Sequence, residues 1–273
     1  MDQIINQIST GKPLPLPANH LEMVTSYCFE AIKFGSLQVL GGMPDLLRQD
    51  WLNASLPEAE RATRHISVEP LKWIEAMENQ FYPLIHCFLD YTGRPRDIAI
   101  LIWRGALASL FVVGRSGIEI CHIDVKRNAS KGLRATSAMF FTEADIANLC
   151  RYKHTRLLLP DPMLATGTSF AYTINALLGF GIPASKITIL CVVAAPEGVF
   201  RLLKSYPGLK IITITLDSHL NSNAFIMPGL GDAGDKYFCG NFLDRFVLFQ
   251  HHFNDAQWER LGSLLLQANN VAT

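Results

Sequence analysis

Arg156-Leu157-Leu158-Leu159-Pro160-Asp161-Pro162-Met163-Leu164-Ala165-Thr166-Gly167-Thr168-Ser169 is the stretch on which the reading of the fold turns. Arg156 to Pro160 is a short apolar run, the pattern of a strand buried on both faces of a parallel sheet. Asp161 follows at the carboxyl end of that strand, and a turn of small residues leads into a helix near Ser169 to Phe180. In open α/β sheets, ligands bind at the carboxyl ends of strands. The turn Ala165 to Ser169 offers backbone N–H groups and three hydroxyls at a helix N-terminus, where unpaired donors and the helix dipole attract a phosphate. Gly167 permits close approach of the backbone to an anion. An ordinary strand–turn–helix with a capping serine accounts for the same residues equally well. A Walker A loop is excluded because no GK[ST] follows, and without GxGxxG the dinucleotide reading is weak.

Working outward, short apolar runs alternate with helical stretches. Ile98 to Trp103 and Ile118 to Val125 read as strands, with a tightly packed helix to Val113 after the first. Thr142 to Arg151 reads as a capped helix. Ile187 to Ala195 and Ile211 to Leu216 read as strands, and Glu197 to Tyr206 as the helix between them. This alternation predicts a parallel sheet covered on both faces. Residues 1–95 read as a mostly helical N-terminal extension, with apolar residues at helical spacing over Leu21 to Leu40 and Pro70 to Leu89. Residues 96–240 form the core, and 241–273 a C-terminal extension with one amphipathic helix at Asp255 to Gln267.

The chain has 273 residues, 49% of them hydrophobic and 18% charged, enough apolar material for a sizeable core. A formal net charge of zero favours neither nucleic acid nor anionic membranes. The six cysteines lack CxxC spacing, so reduced thiols are expected in place of a disulfide framework or zinc site. No apolar h-region opens the sequence, and no apolar run approaches ~18 residues. A cytoplasmic protein with neither nucleic acid nor membrane as partner is expected. His251 and His252 lie in an aromatic tail and are read as packing or surface residues, not as a metal site.

Ile226-Met227-Pro228-Gly229-Leu230-Gly231-Asp232-Ala233-Gly234-Asp235-Lys236-Tyr237-Phe238 holds three glycines within six residues, so its backbone turns sharply. Such a loop can present main-chain N–H and C=O groups to a small planar ligand. A surface cluster of turns would read the same way.

Both segments resemble the uracil phosphoribosyltransferase family. Asp161 to Ser169 is similar to its DPMLATGGS signature, with Thr168 where the family has glycine. Ile226 to Phe238 is similar to YIIPGLGDAGDRxFG, and Val193 to Val199 matches VAAPEGV. The spacing of the three segments agrees, and the resemblance covers roughly residues 98 to 240. It implies a divergent member with a type I phosphoribosyltransferase core, parallel-sheet and Rossmann-like, that transfers ribose 5-phosphate from phosphoribosyl pyrophosphate (PRPP) to uracil, giving UMP and pyrophosphate. It assigns PRPP to Asp161, Pro162, Met163, Leu164, Ala165, Thr166, Gly167, Thr168, Ser169 and Asp232, and uracil to Ile226, Gly231, Asp232 and Ala233. Arg104 resembles the arginine of ILRAG and Arg127 that of YRNEE, which implies pyrophosphate binding by their guanidinium forks. With Asp161, these two are the expected catalytic residues. The resemblance further implies Mg²⁺ carried mainly by PRPP, no protein metal site, and a homodimer or higher homo-oligomer.

Two departures stand out: Arg-Gly-Ala for the family's Arg-Ala-Gly, and Ala129 to Arg134 in place of its acidic hood. The altered hood and the divergent first 95 residues favour one alternative, a regulator of the same fold that binds PRPP or nucleotide with weak or no catalysis; a further alternative is a transferase for another pyrimidine-like base.

Overall fold

The computed structural model describes residues 1–11, 13–41, 70–89, 97–103, 105–124, 156–231 and 233. The chain divides into two compact units, Met1–Tyr237 and Phe238–Thr273, and every described residue belongs to the first. Helices α1 (Asp2–Thr10) and α2 (Ala18–Lys33) precede strand β1 (Leu37–Val39). Helix α3 (Pro70–Leu89), strand β2 (Ile98–Trp103), a 3₁₀ turn (Gly105–Ser109), helix α4 (Leu110–Arg115) and strand β3 (Glu119–Asp124) follow. Then come β4 (Leu157–Leu164), α5 (Thr168–Gly179), β5 (Ile187–Ala194), α6 (Pro196–Ser205), β6 (Lys210–Leu216), β7 (His219–Leu220) and β8 (Ile226–Met227). The expected helix at Thr142 to Arg151 and the tail helix at Asp255 to Gln267 lie outside the described residues.

The sheet order is β1-β6-β5-β4-β2-β3, with every pair parallel. All eight residues of β5 are buried, as its central place and near-continuous apolar sequence require. Alternate residues serve two layers. Ile98, Ile100, Leu157, Leu159, Ile187 and Ile189 join one cluster with Phe170, Ile174 and Leu177 of α5, Val199 and Leu202 of α6, and Cys28 of α2. Met77, Phe81, Leu84, Ile85 and Phe88 form the buried stripe of α3, which packs on β5 and β6 outside that cluster. This is the doubly covered α/β sheet that the strand pattern predicts.

Two expectations are corrected. The helical stretch Leu21 to Leu40 ends early: α2 stops at Lys33, Gly35 adopts a left-handed φ of 73°, and Leu37–Val39 becomes an edge strand on β6. Strand β4 does not end at Pro160 but runs to Leu164, so Asp161 sits within it, opposite Cys191. The two prolines are tolerated because β2 pairs with β4 only at Leu157 and Leu158. Beyond that point the β2 side of β4 has no ladder for a missing N–H to break.

That divergence falls at a change of direction in the sheet order. The chain leaves β2 for β3 on one side and returns to β4 on the other, so the β2/β4 gap is the topological switch point of the sheet. The 3₁₀ turn Gly105–Ser109 packs against β4 there. Among the described residues, no helix is long and apolar enough to cross a membrane. Cys28, Cys87, Cys121 and Cys191 are free thiols, and burial pushes Cys28 and Cys191 up to about 12, which keeps them inert.

The entry to β2 is held by a buried ion pair. Arg156 Nη2 donates to Asp97 Oδ2 at 2.7 Å and Nε to Oδ1 at 3.2 Å, while Nη1 donates to the Phe88 carbonyl at 2.9 Å. One guanidinium thus ties the end of α3 to the start of β2. Asp97→Ala, which leaves that cation without its partner, is expected to lower stability by about 2–3 kcal/mol. Urea unfolding checks this, and a loss under about 0.5 kcal/mol, the range of a neutral surface change, would contradict it.

Candidate functional site

Asp161 and Gly105 meet at the switch point. A Cβ added at Gly105 would lie 2.7 Å from Asp161 Oδ2, so only glycine leaves the carboxylate its present position. Asp161 Oδ1 accepts from the Met163 N–H at 3.0 Å, which fixes the carboxylate's orientation. The Arg-Gly-Ala order at 104–106 therefore has a steric reason: the residue facing Asp161 is the glycine.

Residues Ala165 to Thr168 carry the chain from β4 into α5. Gly167 is the N-cap, with φ 71° and ψ 12°. A side chain there would be strained by that φ and would press on Leu202, 2.9 Å from an added Cβ. Thr168 opens the helix, and its Oγ1 lies 2.9 Å from Thr166 Oγ1. The turn therefore has a left-handed glycine followed by a helix start, with two threonine hydroxyls in contact.

The glycine-rich segment is introduced by a small hairpin, with His219 paired to Met227 and Leu220 to Ile226. Asn221 Oδ1 closes the tip by accepting from the N–H groups of Asn223 (2.9 Å) and Phe225 (3.0 Å). Gly229 and Gly231 both have positive φ, and Leu230 and Ala233 are fully buried. Asp217, also buried, accepts from the Gly229 N–H at 2.7 Å and so locks the loop onto the end of β6.

Helix α6 joins the two loops. Glu197 Oε1 accepts from the Leu220 N–H at 2.8 Å, which holds the hairpin. One residue on, an added Cβ at Gly198 would collide with the Ala165 carbonyl, so the helix backbone lies directly on the phosphate turn. Arg201 Nη1 donates to the Thr166 carbonyl and to Thr168 Oγ1, both at 2.8 Å. The Ala165–Thr168 turn and the hairpin that leads into the glycine-rich segment are thus anchored to one helix. Arg104, Arg127 and Asp232 lie outside the described residues.

Sequence reasoning missed Glu197, Arg201 and Asp217. Glu197 and Gly198 were visible only as part of a matching motif. An acidic residue beside glycine in an otherwise apolar run was the available signal that something there is held.

Comparison with known proteins bears on what this arrangement is. Residues 114–240 match the family model described as uracil phosphoribosyltransferase. The uracil phosphoribosyltransferase of Ralstonia pickettii (strain 12J) is 49% identical over 81 residues, which is 30% of this chain and 38% of that relative. That of Synechococcus elongatus is 46% identical over 85 residues, 31% of this chain and 39% of the relative. The matched stretch thus spans 38–39% of the length of these curated relatives. Among solved structures, the AQ2163 protein from Aquifex aeolicus shares the fold, with a TM-score of 0.55 at 18% identity over 74% of this chain and 99% of that one. The parallel sheet, with Asp161 at its switch point and a Thr-Gly-Thr turn beside it, is the α/β architecture that the resemblance to type I phosphoribosyltransferases implies. Within that fold, residues 114–240 are similar to the uracil phosphoribosyltransferase family.

Glu197 is fully buried, and its Oε2 has no hydrogen-bond partner among the described residues. Burial pushes its carboxyl up from the ordinary range. The Leu220 N–H, its own N–H and nearby His219 pull the other way without cancelling the rise. A raised folded value means that its contribution to stability is complete below the unfolded value, about 4.3. The contribution is lost as pH climbs through the folded value. Melting temperatures of wild type and Glu197→Gln across this range are therefore expected to diverge, wild type falling relative to the variant as pH rises. Parallel curves would show that the carboxyl titrates as it does in the unfolded chain.

Proposed function

We propose that this protein transfers ribose 5-phosphate from PRPP to N1 of uracil, giving UMP and pyrophosphate. The observation that carries the reading is the joint anchoring of the phosphate turn and the glycine-rich hairpin on one face-sharing helix, through Gly198 and Arg201 on one side and Glu197 on the other. A sugar phosphate and a base must be held in fixed relation for C1 to meet N1, and rigid coupling of their two loops provides that.

In this reading Asp161 accepts hydrogen bonds from the ribose hydroxyls, and Pro162 to Ser169 surround the 5′-phosphate. Ile226, Gly231 and Ala233 present main-chain groups to the pyrimidine edge, with Asp232 near PRPP. Arg104 and Arg127 take the pyrophosphate. The C1–oxygen bond breaks with its electron pair going to pyrophosphate, the C1–N1 bond forms, and the N1 proton passes to solvent. The C1 centre passes through an oxocarbenium-like state, so no protein nucleophile is needed.

Mg²⁺ is proposed as cofactor, held mainly by PRPP oxygens. Among the described residues no cluster of His, Cys, Asp or Glu is placed to hold a metal. Asp161 offers the oxygen chemistry that a hard cation prefers. When bound, it neutralises charge on the departing pyrophosphate.

The full chain incubated with labelled uracil, PRPP and Mg²⁺ is expected to form labelled UMP. Asp161→Asn keeps an oxygen acceptor for Met163 but removes the charge, and is expected to lower kcat/KM by about a hundredfold. Absence of product with every pyrimidine tried, from protein that melts cooperatively, overturns the proposal.

A further inference from the structure

Arg201 is the cation of α6 nearest the phosphate turn. It is partly buried, and both of its hydrogen bonds run from Nη1 to that turn. Among the described residues no carboxylate lies within ion-pair distance of it; the ion pairs there are Lys33–Glu30 and Arg156–Asp97. A cation drawn out of water without a counter-charge is costly. Burial lowers Arg201 from its ordinary value, and Tyr206 offsets this only in part.

The direction of the hydrogen bonds follows from chemistry. A guanidinium can only donate, so Thr168 Oγ1 must accept from Arg201. Its own proton is then committed outward, either to a ligand or to Thr166 Oγ1 at 2.9 Å. In the second case Thr166 in turn donates its proton onward. Either way the chain starts on a cation and ends on an O–H donor. Charge at one end polarises the hydroxyls along it. Phosphate oxygens are acceptors only, so this polarity suits them. Thr168, the departure from the family's glycine, is what admits the relay.

We infer that Arg201 is a positioning residue for the phosphate turn: acting through the Thr168 hydroxyl, it directs the threonine hydroxyls as donors toward a phosphate monoester. This rests on the transferase reading of the site, and the experiment below separates the two.

Wild type, Arg201→Ala, Arg201→Lys, Thr168→Val and the Ala/Val double variant are compared as full chains. Steady-state kinetics with uracil and PRPP are paired with calorimetry using ribose 5-phosphate alone, and thermal melts establish that each variant is folded. Arg201→Ala and Thr168→Val are each expected to raise KM for PRPP and Kd for ribose 5-phosphate about tenfold. KM for uracil is expected to stay within about twofold. Lysine at 201 is expected to recover part of the loss, and the double variant to be no worse than Arg201→Ala, because both changes cut one relay.

Unchanged affinity for PRPP and ribose 5-phosphate, or an equal rise in KM for uracil, overturns the inference while wild-type turnover leaves the transferase reading standing. Ribose 5-phosphate binding with the stated Arg201 dependence, but no nucleotide from any pyrimidine, upholds the inference and overturns the transferase reading. A wild type that neither binds ribose 5-phosphate nor forms nucleotide sinks both. If Arg201→Ala does not fold, Thr168→Val decides alone, since it keeps the β-branched shape and the charge.

Discussion

The structure depends on the contact between the first turn of α6 and the phosphate turn, where Gly198 lies directly on the Ala165 carbonyl. No side chain fits between them, so helix and loop cannot move apart or slide without losing packing on both. Close-packed interiors transmit such constraints because they have few voids to absorb a shift. The helix is itself fixed from behind by α2. Phe200 meets Tyr27 edge-on at 5.2 Å, Lys204 lies 4.2 Å above the same ring, and Cys28 Sγ donates to the Pro196 carbonyl. Residues 1–41 thus reach the site through α6, although none of them lies in the loops.

From this contact the rest of the site follows. The α6 N-terminus is set by the end of β5, where the Ala195 N–H donates to the Leu164 carbonyl at 2.9 Å. The Asp217 N–H donates to the Ala194 carbonyl at 2.8 Å, so the glycine-rich segment departs from the same end of that strand. Two buried carboxylates then hold backbone N–H groups of the hairpin and its exit, Glu197 that of Leu220 and Asp217 that of Gly229. The phosphate turn is instead held by a cation and by helix backbone. The charges are sorted: acidic groups steady the glycine-rich loop and a basic group steadies the Thr-Gly-Thr turn, as would suit the proposed neutral base and anionic phosphate.

How much of this could be read beforehand depends on how local its cause is. The five core strands were legible because each is a short apolar run whose burial its own residues dictate. The turn between β4 and α5 was legible because the small-residue Thr-Gly-Thr sequence that shapes it is local as well. Strand β1 was not, since three residues become a strand only through pairing with β6, far along the chain. The run of β4 past Pro160 was hidden for a related reason. Proline argues against a strand interior unless one side of the ladder is open, and that opening is set by where β2 diverges. Glu197, Arg201 and Asp217 owe their roles to partners 12 to 35 residues away, which spacing alone does not reveal. Arg104, Arg127 and Asp232 lie outside the described residues and rest on the resemblance.

The departures from the family pattern fit the same logic where the structure reaches them. Exchanging the last two residues of Arg-Ala-Gly puts a glycine opposite Asp161, where any Cβ would displace the carboxylate. Replacing glycine by Thr168 adds a hydroxyl within 2.8 Å of Arg201 and 2.9 Å of Thr166. A β-branched residue at a helix start restricts the backbone, yet here the strained position is Gly167, one residue earlier, and Thr168 is already helical. The substitution therefore costs little in conformation and adds a polar connection between α6 and the turn. Divergence at this site has thus added a side-chain anchor that orients the loop.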